Sequence, residues 1–291
     1  MCIAKRLLCL SILLITFSVA AAQPPAPSYS QNGFNPRMLD PSIPASDRLN
    51  AFAGMMTLAN QGHVRAQDLA GTLLWQGPRI DGSPLKRNLD QARKLLANAA
   101  VHGDVMAMAK LAELELAAGR TEQAMVWAQM YARYQNPMAM QRARRGRSAA
   151  YGSDLIRRIS QAGGAISKSI RTDVAAMVSR FDEPIRRGID AFSSRRRSGE
   201  TFLVRRPYGV DKVEYRNVNG MAEYLVAFDP SGAPGRIWLL DSLPDAKTDS
   251  IVRDYLEQVR ANSVDEAAGT RYLKVSIVHN ALKGPILRPV H

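Results

Sequence analysis

Apolar residues recur at helical spacing through the first half of the chain and at strand spacing near its end. The spacing predicts a first helix from about Asp47 to Asn60, capped by Ser46 or Asp47, with Leu49, Phe52, Met56 and Ala59 on one face. A second helix, about Val64 to Gln76, carries Ala66, Leu69, Ala70, Leu73 and Leu74. A third, Asn88 to Val101, carries Leu89, Ala92, Leu95, Leu96 and Ala99. Asp104 is expected to cap a fourth helix running to about Ala118, and Thr121 a fifth running to about Arg133. Gly62, Gly77-Pro78, Gly103 and Gly119 punctuate the series.

A different pattern follows. From Leu155 to Phe192 apolar residues recur at a mean spacing of 3.7 (Ile159, Ala162, Ile166, Ile170, Val174, Met177, Phe181, Ile185, Ile189), one stripe along a long helix. Gly163-Gly164 and Pro184 are expected to bend or segment it. Beyond Gly199 the chain turns strand-like. Met221 to Phe228, the turn Asp229-Pro230-Ser231-Gly232 and Arg236 to Leu240 predict a hairpin. A helix over Thr248–Ala261 and a strand over Tyr272–Val278, alternating Leu273, Val275 and Ile277, complete the order strand, strand, helix, strand.

The helical part repeats itself. An offset of 41 residues places Ala51 on Ala92, Met55 on Leu96, Ala59 on Ala100, Gly62 on Gly103, Ala66 on Ala107 and Ala70 on Leu111. A period of this length marks stacked helical hairpins. The pattern Ala66-xxx-Ala70-Gly71-xx-Leu74-xx-Gly77, followed by Asn88-xx-Gln91-Ala92 and Ala99-Ala100-xx-Gly103, resembles the Sel-one-like repeat family, relatives of the tetratricopeptide repeat. The resemblance implies an αα-hairpin solenoid that binds protein or peptide without chemistry. Two hairpins are fewer than a solenoid usually needs, so the long amphipathic segment is expected to cover the open end.

The last segment, with its Asp-xx-Gly turn, the run ending in Asp241-Ser242 and Pro244, and Val259-Arg260 near the helix end, resembles the TonB carboxy-terminal domain over about Val218 to Asn280. That resemblance implies a periplasmic module, a link to TonB-type energy transduction, and partners that add a strand to the sheet edge. The expected fold class is therefore a mainly α helical-repeat region followed by a small α+β domain of hairpin, helix and strand.

Composition supplies an address. Lys5 and Arg6, an apolar run from Leu7 to Val19 and the small residues Ala20, Ala21 and Ala22 form a signal-peptide pattern over 1–22. The run is shorter than the roughly 20 residues that span a bilayer, and an uncleaved inner-membrane anchor is the alternative. The proline-rich stretch 23–45 is expected to be an extended linker. Repeats over 46–136, a basic connector over 137–200 and the α+β domain over 201–291 follow. Cys2 and Cys9 both lie inside the first segment, so a cleaved chain has no thiol for disulfides, metal or nucleophilic chemistry.

The net charge of +13 is concentrated. Between Met138 and Arg206 sixteen Lys and Arg face six Asp and Glu, which accounts for ten of the thirteen charges. Export argues against nucleic acid as the partner. Arg157, Arg158, Lys168, Arg171, Arg186 and Arg187 on the long helix, and Arg195, Arg196 and Arg197 at its end, are the expected partner-binding cations. They would meet either a protein of the cell envelope or an anionic membrane or lipopolysaccharide surface.

No catalytic constellation stands out. His63 and His102 sit beside equivalent turns, His279 ends a strand and His291 ends the chain, without metal-ligand spacing. Glu113 and Glu115, Asp182 and Glu183, and Asp265 and Glu266 are too close in sequence to share a helix face. The expectation is an exported, non-enzymatic interaction or adaptor protein with no metal, no cofactor and no catalytic residue.

Overall fold

The structure is a computed structural model that describes residues 35–135, 150–197, 219–257, 259–261, 270–280 and 284–289. The signal-peptide pattern over 1–22 and the start of the basic connector, 137–149, lie outside the described residues. What is described is mainly helical and ends in a small antiparallel sheet.

Five helices open the fold: α1 (Ala45–Asn60), α2 (Val64–Gln76), α3 (Leu89–Val101), α4 (Val105–Ala117) and α5 (Thr121–Tyr134). Each packs on the next, and the pairs α2 with α3 and α4 with α5 are the most intimate. Residues matched by the 41-residue offset occupy equivalent places. Ala51, Met55 and Ala59 are the buried residues of α1, while Ala92, Leu96 and Ala100 are buried in α3. Gly62 and Gly103 both take a positive φ, the left-handed conformation that lets the chain reverse tightly.

The face expected for α1 is corrected at Leu49, while Ala59 is buried and Phe52 and Met56 are half-buried against the core as expected. Leu49 is exposed and the buried face is the alanine-rich one, because α1 lies close to α2 and small residues permit that approach. Capping is corrected at two starts. Pro44 precedes α1 and Arg120 precedes α5, neither with a side-chain cap. Asp104 does cap α4, accepting from the N–H groups of Met106 and Ala107 at 3.0 and 3.1 Å. The end of the expected linker is also ordered: Pro36–Leu39 forms a short 3-10 helix whose Met38 and Leu39 are fully buried.

The long stripe is divided between α6 (Ala150–Gln161) and α7 (Lys168–Arg197). The break falls at Gly163-Gly164, and α7 continues through Pro184. Leu155 and Ile159 on α6 and Ile170 and Ile185 on α7 are buried, and Val174, Met177, Phe181 and Ile189 are half-buried against the same helical cores. The stripe thus packs on α3, α4 and α5. Ile166 is the correction: it lies in the break and is exposed. Gly188 meets the α3–α4 turn so closely that a Cβ there would collide with the His102 carbonyl.

The sheet contains β1 (Gly220–Phe228), β2 (Pro234–Leu243), β3 (Arg271–Asn280) and β4 (Gly284–Pro289) in the order β2-β1-β3-β4, all antiparallel. β4 is an addition to the expected hairpin, helix and strand. Helix α8 (Ala246–Glu257) lies between β2 and β3 in sequence and stops short of the expected Ala261. β1 is buried along its whole length, and its side chains alternate between two partners. Ala222, Tyr224, Val226 and Phe228 pack with Val252, Tyr255 and Leu256 of α8. Met221, Leu225 and Ala227 belong instead to the core that includes α2, α3 and α4. The sheet is therefore a middle layer, with the five-helix body on one face and α8 on the other.

Candidate functional site

Between the helices and the sheet lies a row of charged side chains in otherwise apolar sequence. Helix α4 reads Val-Met-Ala-Met-Ala-Lys-Leu-Ala-Glu-Leu, apolar nearly all round, which places its middle in the interior. Lys110 is that middle, and it is fully buried. On β1 the alternation that faces Met221 and Leu225 toward the helices also faces Glu223 there. Lys274 on β3 and Asp68 on α2 complete the set.

The geometry is a closed square. Lys110 Nζ lies 2.7 Å from Asp68 Oδ1 and donates to Thr72 Oγ1 at 2.8 Å. It also pairs with Glu223. Lys274 pairs with Asp68 and lies 3.1 Å from Glu223 Oε1, which also accepts from Ser276 Oγ at 2.7 Å. Two cations and two carboxylates are matched away from water, the arrangement that a buried charge requires. Removing one corner would strand the others.

Two more carboxyls adjoin the square. Asp241 on β2, directly across from Glu223 on β1, accepts from Gln76 Nε2 of α2 at 2.7 Å. Asp104, the α4 cap, is buried beside Asp68. Burial alone would raise Asp68, but Lys110 and Lys274 outweigh it and hold its pKa at about 2. Burial and then the Asp68 charge push Asp104 up to about 6, against Lys274 and Lys110. For Asp241, burial dominates and Glu223 and Glu113 add to it against Lys110, giving about 7. Both lysines are raised, because their carboxylate neighbours overcome the burial that would lower them.

This chemistry fits a clamp rather than a reaction centre. A lysine nucleophile needs a lowered pKa and access to substrate, whereas Lys110 is raised and has no exposed surface. A second network, from Glu113 to Tyr151 Oη at 2.7 Å and to Arg158 at 2.9 Å, ties α4 to α6. Glu115 turns the other way, 2.6 Å from Arg93 and paired with Arg120. Among the described residues no group of three or more His, Cys, Asp or Glu could hold a metal, and no helix is long and apolar enough to cross a membrane.

The expected partner-binding cations do not share one setting. Arg158 is turned inward to Glu113 and Asp154. Arg157 pairs with Asp154, Arg186 with Asp182 and Arg187 with Glu183, all one helical turn away. Lys168 and Arg171 are exposed at the start of α7. Arg195, Arg196 and Arg197 form its last turn, and their side chains lie outside the described residues. The clamp residues were not expected from the sequence. Three of the four are lone charges in apolar runs, and that was the signal: Lys110 in α4, Glu223 in β1, and Lys274 between Leu273 and Val275.

The sheet has two edges. β4 carries Pro285 and Pro289, which donate no N–H and blunt it. Among the described residues β2 pairs with β1 alone, and it contains no proline after Pro234. Bulges at Leu240 and near Gly235 bracket a regular stretch, Ile237 to Leu239. Beside it Arg236 is exposed and stacks over the buried Trp238 ring at 4.8 Å. Trp238 Nε1 in turn donates to the Leu39 carbonyl at 3.3 Å. No family model, no curated protein and no solved structure matches the chain.

Proposed function

We propose that this chain is an exported, non-enzymatic adaptor of the cell envelope that takes an extended segment of a protein partner as an added strand on the β2 edge. The observation that carries this reading is the unequal pair of sheet edges, one blunted by prolines and the other paired, among the described residues, with β1 alone and lying beside an exposed arginine. The five helices serve as its rigid seat. Their 41-residue period supports a Sel-one-like hairpin repeat, and the hairpin, helix and strand order supports a TonB-like module. The sheet and α7 occupy surface that such repeats leave open, so the partner is assigned to the sheet edge and not to a repeat groove.

The test is a photo-crosslinking residue placed at Arg236, compared with the same residue placed at Arg187 on α7, in cells producing the full chain. Crosslinks to an envelope protein from position 236 alone support the edge. Crosslinks from position 187 alone would sink it.

A second reading has its own observation. The apolar stripe of α7 is used inside the molecule while Lys168, Arg171 and Arg187 face outward. Contact with an anionic lipid or lipopolysaccharide surface would then be electrostatic, without insertion, and would vanish as salt rises. Binding to anionic vesicles that persists at high salt would contradict that form of the reading.

A further inference from the structure

Asp241 differs from the other acids around the clamp. Its Oδ1 accepts twice, from Gln76 at 2.7 Å and from the Ser242 N–H at 3.0 Å. Its Oδ2 is buried and receives no hydrogen bond from any described residue. Asp68 and Glu223, by contrast, each touch two lysines. The cation closest to hand for Asp241 is Lys110, already engaged by Asp68, Glu223 and Thr72.

The groups facing it from each neighbouring element are unfavourable to a charge. β1 contributes Glu223 and α4 contributes Glu113 with Lys110, while α2 contributes neutral Gln76 and, farther along, Asp68. β3 contributes Lys274, held by Asp68 and Glu223. On the opposite face α8 commits Asp249 to Tyr224 and Arg253. At the far end of β2, Asp40 and Asp81 face Arg236. A carboxyl with one lone buried oxygen, next to a second carboxylate and without a free cation, is accommodated in its neutral form.

We propose that Asp241 is a proton-operated latch: with a proton on Oδ2 it seats β2 against α2, and losing that proton loosens the β2 edge from the helices. The proton passes to solvent as the strand lifts and the Gln76–Asp241 hydrogen bond is exchanged for water, and no other covalent bond changes. The latch regulates the edge assigned above to the partner, so its consequence for docking rests on that reading, whereas the latch itself does not. With a pKa raised from 3.8 to about 7, the latch is fully seated below the ordinary carboxyl range and loosens progressively until about pH 7. A raised carboxyl favours the seated state in acid and gives up that advantage as pH rises toward the folded value.

The experiment is amide hydrogen exchange on the full chain at about pH 5.5 and pH 8, corrected for intrinsic exchange, for the wild type and Asp241→Asn. Wild-type amides from Ile237 to Leu243 should lose roughly ten- to thirtyfold protection between the two conditions, and Asp241→Asn should lose little. Equal losses in both chains would overturn the latch. A second readout needs no variant: the side-chain carboxyl carbon of Asp241, followed by NMR, should titrate near neutral pH, and a midpoint below about 5 would overturn the proposal. Absence of crosslinking from position 236 at either pH would remove the docking reading and leave the latch to be decided by these two measurements.

Discussion

The two faces of the sheet are held by different physics. Toward α8, Ala222, Tyr224, Val226 and Phe228 meet Val252, Tyr255 and Leu256 in an interface whose strength is set by apolar area. Toward the helices, Met221, Leu225 and Trp238 share a core with α2 to α4, and a square of charges sits inside it. Apolar contacts tolerate small slips because any apolar neighbour will do. An ionic square does not, since a slip of one strand residue would bury an unpaired charge. One face thus supplies adhesion and the other fixes register, at the cost of sensitivity to pH.

The comparison can be broken most forcefully at Lys110. Lys110→Met leaves Asp68 and Glu223 short of a cation in the interior, and should destabilise the chain by about 3–5 kcal/mol in urea unfolding. On the apolar face Leu256→Ala should cost about 2–4 kcal/mol, with a loss that is the same at pH 5 and pH 8. A strong pH dependence for Leu256→Ala would erase the distinction between the faces.

Smaller effects sharpen the boundary of the clamped body. Gly188→Val would drive a side chain into the α3–α4 turn at His102 and Gly103, and should cost about 1–3 kcal/mol by lifting α7. Near-normal stability with unchanged protection of α7 would mean that the seam is looser than it looks. Arg187→Ala should change stability by less than about 0.5 kcal/mol, because its pair with Glu183 is exposed on both sides.

Much of the helical layout was legible because turns and repeats are local signals. Gly62 and Gly103 announced equivalent reversals, and the offset of 41 picked out Ala51, Met55 and Ala59, the residues α1 buries. Spacing within the α1 window pointed instead to Leu49, since a helix packed through alanine and methionine has little contrast between its faces. The break at Gly163-Gly164 could be read, but Ile166 could not be placed, because a stripe says nothing of the break that interrupts it. β4 was hidden by its own prolines, which argue against a strand everywhere except at an edge.

The clamp was the least legible part. Lys110, Glu223 and Lys274 were visible as isolated charges, but Asp68 finds Lys274 at a separation of 206 residues, and only the fold brings them together. Basic residues are dense along α6 and α7, yet Arg157, Arg186 and Arg187 are each matched by an acid one turn away. Density of charge marked the surface; isolation of charge marked the interior.

The claim that the ionic square joins helices and sheet into one body is tested most directly by a double-mutant cycle between α4 and β1. Lys110→Met, Glu223→Leu and the double variant would be compared by urea unfolding at about pH 6. The account predicts that the double variant is at least about 2 kcal/mol more stable than the sum of the single losses implies, because each single change strands a charge that the other removes. Losses that add to within about 0.5 kcal/mol would contradict it.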